Sequence, residues 1–165
     1  MTPDNPFAQP SALPYQLPPF DRIRHDHYRP AYLAGIEQHR LEVEAIGNSA
    51  EPASFENTIV ALERSGRLLE RVDSSFQNLS SSDGDEAMLQ IETEMAPKLA
   101  AHEDAIYLGK TLFARISALY AQRDRLGLDA ESQQLLERYH IQFLRAGARL
   151  AQSDKERLRN LNAQL

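Results

Sequence analysis

The sequence predicts an all-α protein: a bundle of about five to six mostly antiparallel helices with an extended, Pro-rich N-terminal strap. Three observations carry that prediction. Apolar residues recur in steps of three and four, which places them on one face of a helix. No segment alternates apolar and polar residues convincingly enough to be a strand. The periodic stretches are separated by short connections carrying glycine, proline or capping residues, as expected for neighbouring antiparallel helices. The clearest stretch is Phe55 to Leu79, where Phe55, Ile59, Leu62, Leu69, Val72, Phe76 and Leu79 share one face and Gly66 fills the gap. Read as one helix, it spans roughly 35 Å at about 1.5 Å per residue. Glu63, Arg64, Arg67, Glu70 and Arg71 fall on the opposite, solvated face; Glu63–Arg67 supports the helix at a spacing of four and Arg67–Arg71 opposes it.

The other elements follow in order. Residues 1–24 hold Pro3, Pro6, Pro10, Pro14, Pro18 and Pro19, which exclude a regular helix or a central strand. The same segment carries Phe7, Leu13, Tyr15, Leu17, Phe20 and Ile23, too many large apolar groups for a solvated tail. It reads as a strap packed on the bundle, with its aromatic side chains as anchors, leading into a helical domain over 25–165. A first helix starts at Asp26 as N-cap, tolerates Pro30 in its first turn, turns Tyr32, Leu33, Ile36, Val43 and Ile46 inward, and ends at Gly47 or Asn48. Ser54 can cap the second helix. Ser80 to Gly84 reads as a loop. A third helix, Asp85 to Tyr107, faces inward with Met88, Ile91, Met95, Leu99 and Ile106, with His102 in register and Pro97 expected to kink or split it. A fourth takes Lys110 to Arg125. A fifth, capped by Asp129, runs from Ala130 to Ala151. Ser153 and Glu156 have capping-box spacing and open a sixth, with Leu158, Leu161 and Leu165 along it.

Composition removes several functions. The net charge of −6 argues against a general nucleic-acid binder, which needs a basic stripe. With no cysteine, disulfides, thiolate zinc sites and thiol catalysis are out. No stretch approaches the roughly 20 apolar residues of a membrane span, and the first residues lack the pattern of a secretory signal. The histidines are the remaining place to look for chemistry. His25 and His27 flank Asp26 at a helix start with no third ligand evident, so hydrogen bonding at the surface is the simpler reading, and His39 reads as exposed. His102-Glu103-Asp104-Ala105-Ile106 imitates half of a zinc-protease helix. That motif needs two imidazoles four apart on one metal, and the fourth position here is Ile106. His140 beside Tyr139 reads as a helix residue. Asp83-Gly84-Asp85-Glu86 lacks the alternating ligands of a calcium loop. The residues by themselves define no catalytic, cofactor-binding or metal site.

The wording of several segments adds a resemblance. The run NPF…LPY…PPFDRI…HYRPAY, with its His27-to-Ala31 step, resembles the opening of the thimet-oligopeptidase-like zinc metallopeptidases, and within them the bacterial peptidyl-dipeptidase (dipeptidyl carboxypeptidase) branch. FENTIVALERSGRLLERV, Phe55 to Val72, is similar to the family's next segment. Leu126 to Asp129, Ala146 to Leu150 and Ser153 to Lys155 resemble a third. The resemblance implies a cytoplasmic, largely helical, much longer parent enzyme with two lobes around a deep channel. It implies one zinc held by His-Glu-x-x-His and a downstream glutamate, all beyond the part this chain resembles. This chain then corresponds to a non-catalytic N-terminal domain that walls or roofs the substrate channel, cut within its last helix, inactive alone and holding no cofactor. Its implied partners are the missing catalytic portion and, for the parent, oligopeptide substrates; neither nucleic acid nor membrane is expected. An uncovered apolar face, suited to dimer formation, is a further expectation. Two other readings stand beside this one: a stand-alone helical interaction protein of the same descent, and a small metal enzyme using His25, His27 and His102.

Overall fold

A computed structural model describes residues 1–162 of the chain. Among them there is no strand, and helix dominates, as expected. The helices are α1 (His25–Gly47), α2 (Ala61–Arg64), α3 (Arg67–Asp83), α4 (Glu86–Tyr107), α5 (Lys110–Ala121), α6 (Ala130–Arg145) and α7 (Gln152–Asn162). A π-helical turn, Phe55–Val60, runs directly into α2, and short 3-10 turns occupy Pro14–Gln16 and Arg123–Arg125. The chain divides into two compact units: Met1–His39 with Gly66–Leu99, and Arg40–Ser65 with Ala100–Leu165.

The stretch Phe55 to Leu79 is not one helix. Ser65 is extended, and Gly66 follows in the left-handed region at φ 72°. That conformation is cheap only for glycine. The Ser65 hydroxyl donates to the Leu62 carbonyl at 2.7 Å and helps close the end of α2. The apolar period survives the break because Leu62 and Leu69 are seven residues apart, two helical turns, so periodicity alone is blind to it. Its two halves serve different cores. Ile59 and Leu62 join the core of the second unit, and Leu68, Val72 and Phe76 that of the first.

In the first unit an aromatic chain forms the centre. Phe7 lies 5.3 Å from Tyr28, and Phe76 meets Tyr28 and Tyr32 edge-on at 5.1 and 5.7 Å. Such pairs add about 0.5–1.5 kcal/mol each beyond their buried area. The buried phenols keep partners: Tyr32 donates to Asp73 at 2.9 Å, and Tyr28 and Ser75 share a bond of 3.3 Å. Of the α1 face expected inside, Tyr32 and Val43 are buried and Ile36 and Ile46 partly so, but Leu33 is exposed, and Tyr28 and Ala31 are buried as well. Of the strap's apolar groups, Phe7 is buried and Ile23 packs against the core, but Leu13, Tyr15, Leu17 and Phe20 are exposed. Tyr15 and Gln16 have φ of 57° and 55°. The strap turns there, and Tyr15 is 97% exposed instead of anchoring.

Helix α3 runs to Asp83, through the serines read as a loop. Ser81 and Ser82 donate back to the carbonyls of Gln77 and Asn78 at 2.7 and 2.8 Å, so their hydroxyls are satisfied inside the helix. Helix α4 opens as predicted: Asp85 accepts from the Met88 amide at 2.9 Å. Met88, Ile91, Met95 and Ile106 are buried. Pro97 does not split the helix. Pro97 lies on the exposed side, and the carbonyl it deprives of a donor belongs to Thr93, also an exposed residue. At the start of α1 the helix takes in Asp26, and the Arg24 amide donates to His27 Nδ1 at 3.1 Å. The cap sits two residues earlier than expected.

In the second unit α5 packs on α6 through Leu112, Ile116, Leu119, Leu136 and Phe143. Helix α5 gives way after Ala121 to the 3-10 turn, short of the expected Arg125. Asp129 caps α6, as expected, by accepting from the Ser132 amide at 2.8 Å. Helix α6 stops well before Ala151. Gly147 takes φ 96°, the Ala148 amide returns to the Phe143 carbonyl at 3.0 Å, and the Gly147 amide to Leu144 at 3.1 Å, a Schellman-type ending. Helix α7 begins ahead of Ser153: the Asp154 and Lys155 amides bond to the Ala151 carbonyl, and Glu156 accepts from Gln152 at 3.3 Å. The Ser153–Glu156 box therefore does not set its start. Leu158 is half-buried, Leu161 is exposed, and Leu165 lies outside the described residues.

Candidate functional site

The histidines take local structural places. His25 Nε2 lies 3.4 Å from Asp85 with both side chains half exposed, and His27 is occupied with the Arg24 amide. His39, read as exposed, is half-buried beside Gly66; a Cβ at Gly66 would lie 2.9 Å from its Nδ1. His102 is buried on α4, one turn from Ile106, whose side chain belongs to the core. His140 is buried in a stack, with Tyr120 at 4.0 Å on one side and Phe113 at 5.9 Å. Burial, then the charges of Arg149 and Arg123, push its pKa below the ordinary histidine value. Among the described residues no group of three His, Asp or Glu side chains is placed to hold a metal ion. The donor set that zinc needs does not fit at His102, because its would-be partner is Ile106.

The strongest polar constellation of the second unit is centred on Arg115 of α5, which sequence reasoning did not single out. Its guanidinium donates to Asn57 Oδ1 at 2.8 Å, to the Glu51 and Ser49 carbonyls at 2.9 and 3.2 Å, and to Thr58 Oγ1 at 3.3 Å. Asn57 is also one half of the cap foreseen at Ser54: it accepts from the Ser54 amide at 2.8 Å while its own amide donates to Ser54 Oγ at 3.1 Å. Every acceptor is neutral, so the arrangement clamps a loop and holds no reacting group. Lys155, also unforeseen, is 1% exposed and donates from Nζ to the Leu108 carbonyl at 2.9 Å, just beyond the end of α4. A cation there complements the helix dipole.

In the first unit the strap and α3 enclose a cleft of about 390 Å³. Pro6, Pro18, Pro19 and Tyr15 form apolar walls, and Arg67, Glu70 and Arg71 line the α3 side. Arg67 pairs with Glu70 at 3.2 Å. Arg71 differs from the solvated arginine expected on that face. It is half-buried, its Nη2 reaches the Phe7 carbonyl at 3.3 Å, and its Nε is buried with no hydrogen-bond partner. Desolvation lowers its pKa below the usual guanidinium value, opposed by the charge of Glu70.

The polar groups described in the second unit tie loops and helix ends together: Arg115 holds the segment around Asn57, and Lys155 holds the end of α4. Comparison with known proteins says what the chain resembles. Over 160 residues the chain is 45% identical to a protein of Salmonella typhimurium strain LT2, and over 164 residues 43% identical to one of Escherichia coli strain K12. The matches take in 97% and 99% of this chain but only 24% of each relative, so the chain spans about a quarter of the length of the curated relatives it matches. No family model matches it. The chain thus matches the amino-terminal region of much longer proteins. Both relatives are dipeptidyl carboxypeptidases, the branch that the opening segments resemble.

Proposed function

We propose that this chain is the non-catalytic amino-terminal helical region of a zinc peptidyl-dipeptidase, an enzyme that removes dipeptides from the carboxyl end of oligopeptides, and that it walls or roofs the substrate channel there. The observation that carries the reading is identity above 40% across nearly the whole chain, confined to about a quarter of each relative. The absence of His-Glu-x-x-His from this sequence supports the non-catalytic part. The zinc, the general base and the oligopeptide then belong to the rest of such an enzyme, which is also this chain's partner, in the cytoplasm.

The test is an assay of the purified chain on oligopeptides with free and amidated carboxyl ends, with and without added zinc. No dipeptide release is expected; zinc-dependent release from the free-ended peptides would overturn the reading. A second arm supplies the chain to the Escherichia coli dipeptidyl carboxypeptidase expressed without its matching region. Restored hydrolysis is the expected result, and failure of a folded mixture to hydrolyse counts against the scaffold role.

A further inference from the structure

We propose that the cleft between the strap and α3 is a binding site for a peptide carboxylate, with Arg71 as its principal cation. The proposal stands apart from the peptidase reading, since no residue of the cleft is assigned a part in hydrolysis. Its first support is charge. Two arginines line the cleft against one glutamate, in a chain whose net charge is −6. Arg67 is taken by Glu70, whereas Arg71 has no carboxylate partner among the described residues. A half-buried guanidinium with a sheltered, unbonded Nε and a single long bond to a carbonyl is under-compensated, and an anion in the adjoining space would balance its charge and meet the exposed part of its fork.

The second support is shape and lining. At about 390 Å³ the cleft falls in the range of small-ligand sites. Its walls are three prolines and Tyr15, whose ring is 97% exposed on a left-handed residue. Such walls suit an apolar side chain next to the charged group, and the side chains of Gln9 and Gln16 are available to peptide amides. A carboxylate is favoured over a phosphate because Glu70 repels a dianion more strongly than a monoanion, and because the apolar walls give inorganic phosphate nothing to contact.

The experiment titrates the isotope-labelled 165-residue chain, followed by its amide NMR shifts, with four probes. They are acetyl-Phe-Ala-Glu-amide, acetyl-Phe-Ala-Ala with a free carboxyl end, the uncharged acetyl-Phe-Ala-Gln-amide, and inorganic phosphate. Saturable shifts centred on Phe7, Tyr15 and Arg71 are expected with one or both carboxylate peptides. Binding of the first alone identifies an acidic side chain as the ligand, and binding of the second alone a chain end. Arg71→Ala should weaken binding by about tenfold or more, and Glu70→Gln, which keeps the arginine, should strengthen it several-fold. Circular dichroism checks that both variants fold. Equal binding of the uncharged peptide, phosphate binding as tight as the peptides, shifts confined to other regions, no saturable shift, or a Glu70→Gln variant that binds no better would each overturn the proposal.

Discussion

Replacing Arg115 by alanine tests the polar constellation built around it. One guanidinium supplies four hydrogen bonds, to Asn57, Glu51, Ser49 and Thr58. Bonds from a charged donor are worth about 1.5–3 kcal/mol apiece, but these cannot simply be added. The carbonyls of Ser49 and Glu51 lie near the surface, where water can replace the arginine. Asn57 Oδ1 retains the Ser54 amide and the Thr58 hydroxyl. The net loss is therefore about 3 kcal/mol, mostly at Asn57 and the fully buried Thr58. At about 2–4 °C per kcal/mol for a chain of this size, Tm should fall by about 6–12 °C. Arg115→Lys, with a point charge in place of the planar fork, should recover less than half of that. Because every acceptor is neutral, the deficit should be the same at low salt and at about 0.5 M, unlike that of an exposed ion pair. Thermal melts followed by circular dichroism read all three. A Tm within about 1 °C of the parent, or a deficit that disappears with salt, would refute the reasoning.

Ser54→Ala removes the hydroxyl that accepts from the Asn57 backbone amide and should cost about 1 kcal/mol; combined with Arg115→Ala, the double variant should lose less in urea melts than the two single losses added together, since both loosen the same residue, Asn57. Gly66→Ala must place a Cβ on a residue with φ 72° and 2.9 Å from His39 Nδ1, so unfolding should become easier by about 1–2 kcal/mol or more. His140 titrates below its ordinary 6.5 in the folded chain, through burial first and then the charges of Arg149 and Arg123. The unfolded chain then takes up the proton first, and stability should decline as pH is lowered from 6.5 toward the folded value. His140→Phe, which preserves the stack on Tyr120 and Phe113, should flatten that slope in melts taken across the window.

What was legible in the sequence was whatever a single periodicity could encode. The inner face of α4 follows the period, with Met88, Ile91, Met95 and Ile106 buried and Leu99 partly so. The continuous helix from Phe55 to Leu79 was an error of the same method. Gly66 passed as filler in an apolar stripe because the period is preserved across it, although Ser65-Gly66 is a turn signal in its own right. The Ser80–Gly84 loop failed in the opposite direction, since composition does not show hydroxyls folding back on their own helix. Arg71, Arg115 and Lys155 were out of reach for a different reason. A charged residue is solvated by default, and only tertiary packing reveals one that is not. The like-charged spacing of Arg67 and Arg71 was a faint hint that their face was more than solvent-exposed surface.

The interleaving of the two units has a consequence for synthesis on the ribosome. Each is assembled from two separated stretches of chain, so neither can be isolated by shortening one end. The first has all its residues once Leu99 has emerged, whereas the second waits for α7, with Ile59 and Leu62 already made and lacking most of their eventual neighbours. Vectorial folding should therefore finish the aromatic unit early and leave the helix-α5 unit as the late, aggregation-prone species, the stage at which a chaperone would find this polypeptide.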